Sequence, residues 1–299
     1  MMGSYFAKDK KMPRLHLIGA GTPTPTKDRW GTCFVLDIVG QRFMIDCGPA
    51  STYKLFHAGI ASTDVDNLFF THLHSDHIAD YPCFLMTRFD QSVGEENVLN
   101  VYGPSPVRDL HERLWSPERG VFWYDVRARV NHPMSIHAYH SRGGEGDRPE
   151  PVVSVKEYGE GVVASGPGWS CSAMEVRHAQ PWLNCFGFRF ETDEGIVSFT
   201  GDSAPCDSVV ELSRNADLTV IESVHRARDI ARYPSRISET GTTDAGRMAD
   251  KAKAKRLVIN HQSDRLDPPD AMTEGVADVK SAYGGPVWWG KDGMVIDWD

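Results

Sequence analysis

The 299-residue sequence predicts a mixed α/β protein whose sheets are covered by helices. Three observations carry that expectation. Short apolar runs rich in β-branched and aromatic residues recur and stop at polar residues, as buried strands do. Segments with helical spacing lie between them. The composition, 40% hydrophobic and 24% charged, is that of a soluble globular chain and excludes collagen, coiled coil and wholesale disorder.

The strands follow in order. Residues 15–18 run into Gly19-Ala20-Gly21 and then Thr22-Pro23-Thr24-Pro25. Residues 33–38 and 43–45 flank Val39-Gly40, which reads as a hairpin. Residues 68–70, 173–176, 196–199 and 257–259 end at Thr71-His72, Arg177-His178, Thr200-Gly201-Asp202 and Asn260-His261. Helices are expected over 51–59, 207–214, 243–254 and 269–283. The third has Ala245, Met248, Ala249 and Ala252 at helical spacing, with Thr242 or Thr243 as its cap. Residues 141–151 are rich in glycine, proline and charge and read as a loop or mobile flap. No long linker divides the chain, so residues 1–299 read as a single domain.

The net charge of −9 argues against nucleic acid as the main partner, without excluding a local basic patch. No apolar stretch is long enough to span a bilayer. The first residues have no apolar core of a signal peptide, so a cytoplasmic location is expected. Six cysteines without a CxxC pair fit free thiols in a reducing compartment.

The chemistry is concentrated in Thr71-His72-Leu73-His74-Ser75-Asp76-His77. Four potential metal ligands fall within six residues, directly after a strand. His72 and His74 are two apart, which in extended backbone points both imidazoles to one side. Asp76 and His77 are adjacent and face differently, so they can serve a second ion or a second side of the same ion. Imidazole and carboxylate donors suit zinc, and tolerate manganese or iron. His178, Asp202 and His261 share one context, a polar ligand at the end of an apolar strand, and are candidates to complete the site. Each is also readable alone as a structural histidine, a turn aspartate or a surface histidine.

Taken together, Gly19–Pro25 in GAGTPTP, Ile45-Asp46-Cys47-Gly48, the HxHxDH at 72–77, His178, Thr200-Gly201-Asp202-Ser203 and His261 resemble the metallo-β-lactamase-fold hydrolases. Within them, the resemblance is to the branch of tRNA 3′-processing endonucleases and type II arylsulfatases. It implies an αββα sandwich with two metals at one edge. By that resemblance His72, His74 and His178 hold one ion, Asp76, His77 and His261 hold the other, and Asp202 bridges. Asp46 would orient the metal loop. One or two Zn2+ per chain are expected, and hydrolysis by a metal-bound hydroxide, with Asp76 helping to orient the nucleophile or move its proton.

The chain departs from that branch at one point. Where its nucleases and sulfatases carry a histidine near the scissile group, this sequence has Glu239. A carboxylate there would repel a phosphate or sulfate oxygen. His225 is a candidate substitute, and Asp76, Glu239 and His225 are the expected catalytic residues. Trp182 and Asn184, close after His178, are the expected substrate contacts. Trp30, Trp115, Phe122 and Trp123 read as aromatics in loop-like or linking segments able to line an apolar pocket, although core or dimer-interface packing is the favoured reading for any one of them. Trp288-Trp289 reads as the closing strand of a sheet. The expected substrate is a small, aromatic, ester-like or otherwise activated molecule: an aryl sulfate or phosphate ester, a lactone or an activated aryl halide. The alternatives are a tRNA 3′-end endonuclease and a non-catalytic metal-binding protein. A homodimer is expected from the resemblance.

Overall fold

The computed structural model describes residues 12–94, 97–230 and 237–299. Two seven-stranded sheets lie face to face. The first contains β1 (Arg14–Ala20), β2 (Thr32–Ile38), β3 (Gln41–Ile45), β4 (Asn67–Phe69), β5 (Leu99–Pro104) and β6 (Val153–Tyr158). The second contains β7 (Gly161–Gly166), β8 (Trp169–Glu175), β9 (Phe186–Thr192), β10 (Gly195–Phe199), β11 (Leu218–Glu222), β12 (Leu257–Asn260) and β13 (Val287–Trp289). The final strand, β14 (Met294–Asp297), returns to pair with β1 at the edge of the first sheet. Each sheet begins antiparallel and turns parallel: from β3 to β6 in the first and from β10 to β13 in the second.

Both faces of each sheet are buried, which explains why the strands read as continuous apolar runs. In β2, Phe34 and Leu36 face the second sheet, while Cys33 and Val35 face outward. In β12, Val258 faces the first sheet, while Leu257 and Ile259 face outward. The layer between the sheets is dense in aromatic rings, with Phe43 and Phe69 at 5.4 and 5.3 Å from Phe190 between centroids. Outside the first sheet lie α1 (Ser51–His57), α3 (Tyr81–Gln91), α4 (Val107–Leu114) and α5 (Trp123–Asn131), with the short α2 (Ser75–Ile78) between α1 and α3 and α6 (Pro133–Ser141) behind α5. Outside the second lie α7 (Asp207–Leu212), α9 (Thr242–Ala252) and α10 (Pro269–Lys280), with the short α8 (Ala227–Ile230) against α9. The order is helix, sheet, sheet, helix.

The hairpin at Val39-Gly40 has positive φ at both residues, 49° and 71°, the geometry a two-residue connection favours. Trp288 and Trp289 lie in β13, the edge strand of the second sheet. Trp115 and Trp123 are buried in the helical layer and stack edge to face at 5.8 Å, so for both the core-packing reading holds. Two expectations need correction. The 141–151 segment is a loop beyond the end of α6, as expected, but a tethered one rather than a free flap: Arg148 is buried, donates to the Phe89 carbonyl at 2.7 Å and lies 4.3 Å over the Phe89 ring. The start of α9 has Gly241 at its cap position and no side-chain cap; Thr242 Oγ1 donates to Asp278 at 2.9 Å instead, tying α9 to α10. Among the described residues, no helix is long and apolar enough to cross a membrane.

Candidate metal centre

The polar residues gather where the parallel strands end, along one edge of the sandwich. Asp46 follows β3, His72 follows β4, Asp202 follows β10, Glu222 ends β11 and His261 follows β12. Asp46 and His261 both have left-handed backbone, at φ 60° and 59°. Neither is a glycine, and such conformations persist only where surrounding contacts hold them. For Asp46 those contacts are explicit. Its carboxylate accepts from Thr71 N at 2.8 Å, Thr71 Oγ1 at 2.9 Å and His77 Nδ1 at 2.8 Å. A buried aspartate thus fixes both the start of the metal-ligand loop and the ring of His77.

The histidines and aspartates converge in two groups that share Asp202. His72, His74, His178 and Asp202 form one; Asp76, His77, Asp202 and His261 form the other, with ligand atoms within 4.8 Å of one another in each. In the first, His72 Nε2 and His178 Nε2 lie 2.9 and 3.2 Å from His74 Nδ1, and Asp202 Oδ2 lies 3.8 and 3.9 Å from His72 and His178. In the second, Asp202 Oδ2 is 3.2 Å from both His77 Nε2 and His261 Nε2, and His261 Nε2 is 3.0 Å from Asp76 Oδ2. Donors around a tetrahedral ion at zinc distances stand about 3.3 Å apart, so both groups have the right spacing.

Proton placement makes the same point. His178 Nδ1 donates to the Ser238 carbonyl at 2.8 Å, leaving Nε2 with a lone pair. His77 Nδ1 donates to Asp46, which leaves its Nε2 lone pair facing the acceptor Asp202 Oδ2. Such contacts are favourable only with a cation between them or a proton on the ring. The residues fit divalent metal ions.

The electrostatics follow. Burial opposes charge on His77, but Asp202, Asp46 and Asp76 overcome it and push its pKa well above the ordinary value. His261 is raised in the same way, against burial, by Asp202 and Asp76. Burial would raise Asp202, but His261 and His77 hold its carboxyl well below the usual range. Asp76 is lowered against burial by His77 and His261. His72 has no such surplus of carboxylates, and burial pushes it well down. This centre therefore demands positive charge, which protons on His77 and His261 supply in the metal-free chain.

Backbone proximity holds the loop. Cys47 N donates to the His77 carbonyl at 2.7 Å and Gly48 N to the Thr32 carbonyl at 2.9 Å. A Cβ on Gly48 would stand 2.0 Å from the Asp76 carbonyl oxygen. Gly48→Ala is therefore expected to displace the ligand loop and cost about 3 kcal/mol of stability, as overpacking does. Thermal melting and metal content check this; an unchanged melting point with full metal content would refute it.

The other expected site residues are placed differently. Glu239 lies beside the ligands, its Oε1 3.9 Å from His178 Nδ1. Burial, then Asp202, pushes its pKa up to about 7. His225 belongs to neither ligand group; its Nδ1 lies 3.0 Å from Ser263 Oγ and its carbonyl accepts from Thr242 N. Asn184 is engaged, its amide donating to the Ser105 carbonyl at 3.0 Å. Trp182 is 87% exposed on the loop that follows His178. Sequence reasoning missed Thr71 and Glu222 as parts of the site. Glu222 has the same strand-end context that singled out Asp202 and His261, so that rule, applied evenly, finds it. Thr71 gave no such signal, because only folding brings Asp46 to it.

Comparison with known proteins agrees with this geometry. Residues 13–118 match the family model described as Anti-Pycsar protein Apyc1. Over most of its length the chain is similar to Ribonuclease Z of Geobacillus kaustophilus, at 28% identity over 90% of this chain and 94% of that protein. The metallo-β-lactamase-fold protein YhfI of Bacillus subtilis superposes with TM-score 0.73 at 20% identity, over 96% of this chain and all of that one. Human tRNase Z, short form, superposes with TM-score 0.67 at 20% identity, over 95% of this chain and 98% of that one. The chain is a metal-dependent hydrolase of the metallo-β-lactamase fold. Within that class, its similarity reaches the proteins named Ribonuclease Z and tRNase Z.

These names overturn one expectation. A small-molecule substrate, with nucleic acid as an improbable partner, conflicts with relatives that are ribonucleases. The physical reason lies in the premise: a net charge of −9 sums the whole surface and leaves out any bound ions, whereas the field at a phosphate is set locally, and by divalent ions above all.

Proposed function

We propose that the protein is a metal-dependent endoribonuclease that hydrolyses a phosphodiester at the 3′ end of precursor tRNA. The observation that carries this reading is the pair of ligand groups sharing Asp202, in a chain similar to Ribonuclease Z over nine-tenths of its length. Zinc is the metal that five imidazoles and two carboxylates suit best, with manganese or iron next. His72, His74 and His178 would hold one ion, Asp76, His77 and His261 the other, and Asp202 both. Bound there, the ions supply a hydroxide at neutral pH and polarise a phosphoryl oxygen. Asp76 orients the nucleophile. Trp182, exposed four residues after His178, would offer a face on which a nucleobase stacks. Glu239, next to His178, is the candidate for the proton at the leaving oxygen.

We take residues 1–299 as one catalytic unit. A homodimer is supported by the exposed rings of Tyr53 and Phe56 on α1; a monomer mass by light scattering would remove that part. Six free cysteines suit the cytoplasm.

The test is cleavage of a precursor tRNA at low salt by protein loaded with zinc or manganese. Expected are a single cut at the 3′ trailer, abolished by a chelator, and a rate that falls steeply with salt. No cleavage by fully loaded protein, with either metal, would sink the reading.

A further inference from the structure

The ligand histidines differ in how their second ring nitrogen is held. His77 Nδ1 faces Asp46 at 2.8 Å, His178 Nδ1 faces the Ser238 carbonyl at 2.8 Å, and His72 Nδ1 faces Thr71 Oγ1 at 3.1 Å. His261 Nδ1 is buried and reaches no hydrogen-bond partner. The atom opposite it is equally unusual. Glu222 Oε2 is buried, accepts from no N–H or hydroxyl, lies 3.9 Å from His261 Nδ1, and the Glu222 carboxyl has that of Glu239 beside it. The other oxygen of that carboxylate is fully engaged: Glu222 Oε1 accepts from Ser203 N and Thr240 N, each at 2.9 Å. One oxygen is thus anchored to the loops after β10 and before α9, and the other is aimed at the ring of a metal ligand.

We propose that Glu222 is the positioning residue for His261. In the described structure His261 Nε2 lies against the carboxylates of Asp76 and Asp202, so its Nε2–H donates to them. Once Nε2 gives its lone pair to an ion, the ring proton stands on Nδ1. A buried N–H without an acceptor is costly, and metal-ligating histidines almost always donate that proton to a carboxylate, carbonyl or water. Glu222 Oε2 is the carboxylate oxygen in place to accept it, and a short shift closes the gap to the usual 3 Å or so. The acceptor also locks the ring angle, which matters here because His261 has a left-handed backbone, φ 59°.

The same constellation has a competing use. Glu222, Glu239 and His261 have ligand atoms within 4.8 Å of one another and could hold a cation directly. That would require His261 to bind ions through both nitrogens and lose both protons. Donation from a neutral ring needs no such deprotonation, so the positioning role is the one argued.

The proposal rests on the metal reading of the site but not on RNA as substrate, and its test uses no substrate. The variants are Glu222→Gln, Glu222→Ala and Glu239→Gln, each loaded with zinc and titrated with a chelating dye to give separate affinities for two ions. In Glu222→Gln the amide oxygen still accepts from Ser203 and Thr240, but its NH2 faces the Nδ1–H, donor against donor. Expected is loss of affinity for one ion by about 10–100-fold, with the other unchanged and the metal-free melting point no lower than wild type. The loaded wild type should show a far-downfield imidazole N–H proton signal that Glu222→Gln removes. Glu222→Ala should add a lower metal-free melting point, because the two loops lose their tie. Unchanged affinities in Glu222→Gln, or equal weakening of both ions with a lower metal-free melting point, would overturn the proposal and leave Glu222 a structural brace. A third ion per chain, lost alike in Glu222→Gln and Glu239→Gln, would overturn it in favour of direct cation binding.

Discussion

Asp202→Ala is expected to reduce bound metal from two ions per chain to one or none, and to lower hydrolytic turnover by about a thousandfold or more. Asp202 belongs to both ligand groups, and its Oδ2 lies 3.2 Å from His77 and His261 and within 4 Å of His72 and His178. No neighbour can take its place, because Asp76 reaches only the second group. Its loss removes a shared negative charge from between four imidazoles. Without it, two ions of like charge face each other with less screening, and the several kcal/mol of charge stabilisation that a metal pair supplies is lost. At 1.4 kcal/mol per factor of ten, three orders of magnitude is about 4 kcal/mol. Asp202→Asn, which keeps the shape, separates the charge from the packing. Metal analysis and turnover on one preparation decide. Two ions retained, with turnover within tenfold of wild type, would refute the shared-ligand role.

Glu239→Gln is expected to stabilise the metal-free protein at neutral and alkaline pH, by up to about 3 kcal/mol. The carboxyl of Glu239 is pushed up from 4.5 to about 7 by burial and then by Asp202. Glu222 is raised beside it, by burial and then by Glu239 and Asp202. An acid whose folded pKa is raised binds more protons folded than unfolded. Its ionisation therefore costs nothing below about pH 4.5, costs progressively more as pH rises through 7, and carries its full penalty above that. At 1.36 kcal/mol per unit the penalty is about 3 kcal/mol. Glutamine cannot ionise and escapes it. The variant and the wild type should melt together below pH 4.5, diverge between 4.5 and 7, and stay apart by a constant margin above 7. Loading with metal should close the gap, since the ions supply the positive charge that the carboxyls lack. A variant less stable than wild type at pH 8 without metal would refute this.

Glu239 also shows where reading residues singly goes astray. As an isolated anion it argued against a phosphate substrate. In the structure it is a mostly buried carboxyl beside a second buried carboxyl and a ligand histidine, so its charge at neutral pH depends on its surroundings. For the aromatic residues, core packing is the favoured reading of each and holds for Trp115 and Trp123, but what they pack into could not be named, because the four helices between Tyr81 and Ser141 were not read from the sequence. In α5 and α6 arginines, histidines and aromatics blur the apolar stripe, whereas α3 carries one in Phe84, Leu85 and Phe89 and α4 in Val107, Leu110 and Leu114. Their burial is decided by the first sheet against which they pack.

The sequence by itself determined a mixed α/β fold with helix-covered sheets and the ligand loop, while the αββα order came only as what the resemblance of its motifs implies. Runs buried on both faces need no alternation to be recognised as strands, and HxHxDH sets the directions of His72, His74, Asp76 and His77 through local backbone geometry alone. Only the tertiary structure decided which distant residues meet that loop. His178, Asp202 and His261 stand on the second sheet, more than a hundred residues away from the loop on the first. The packing of one sheet on the other brings Asp202 to within 3.2 Å of His77, and the parallel pairing of β10, β11 and β12 sets Asp202, Glu222 and His261 along one edge. Spacing along a chain fixes side-chain direction over a few residues. Which buried groups share a proton, or an ion, is settled by the layers that fold over them.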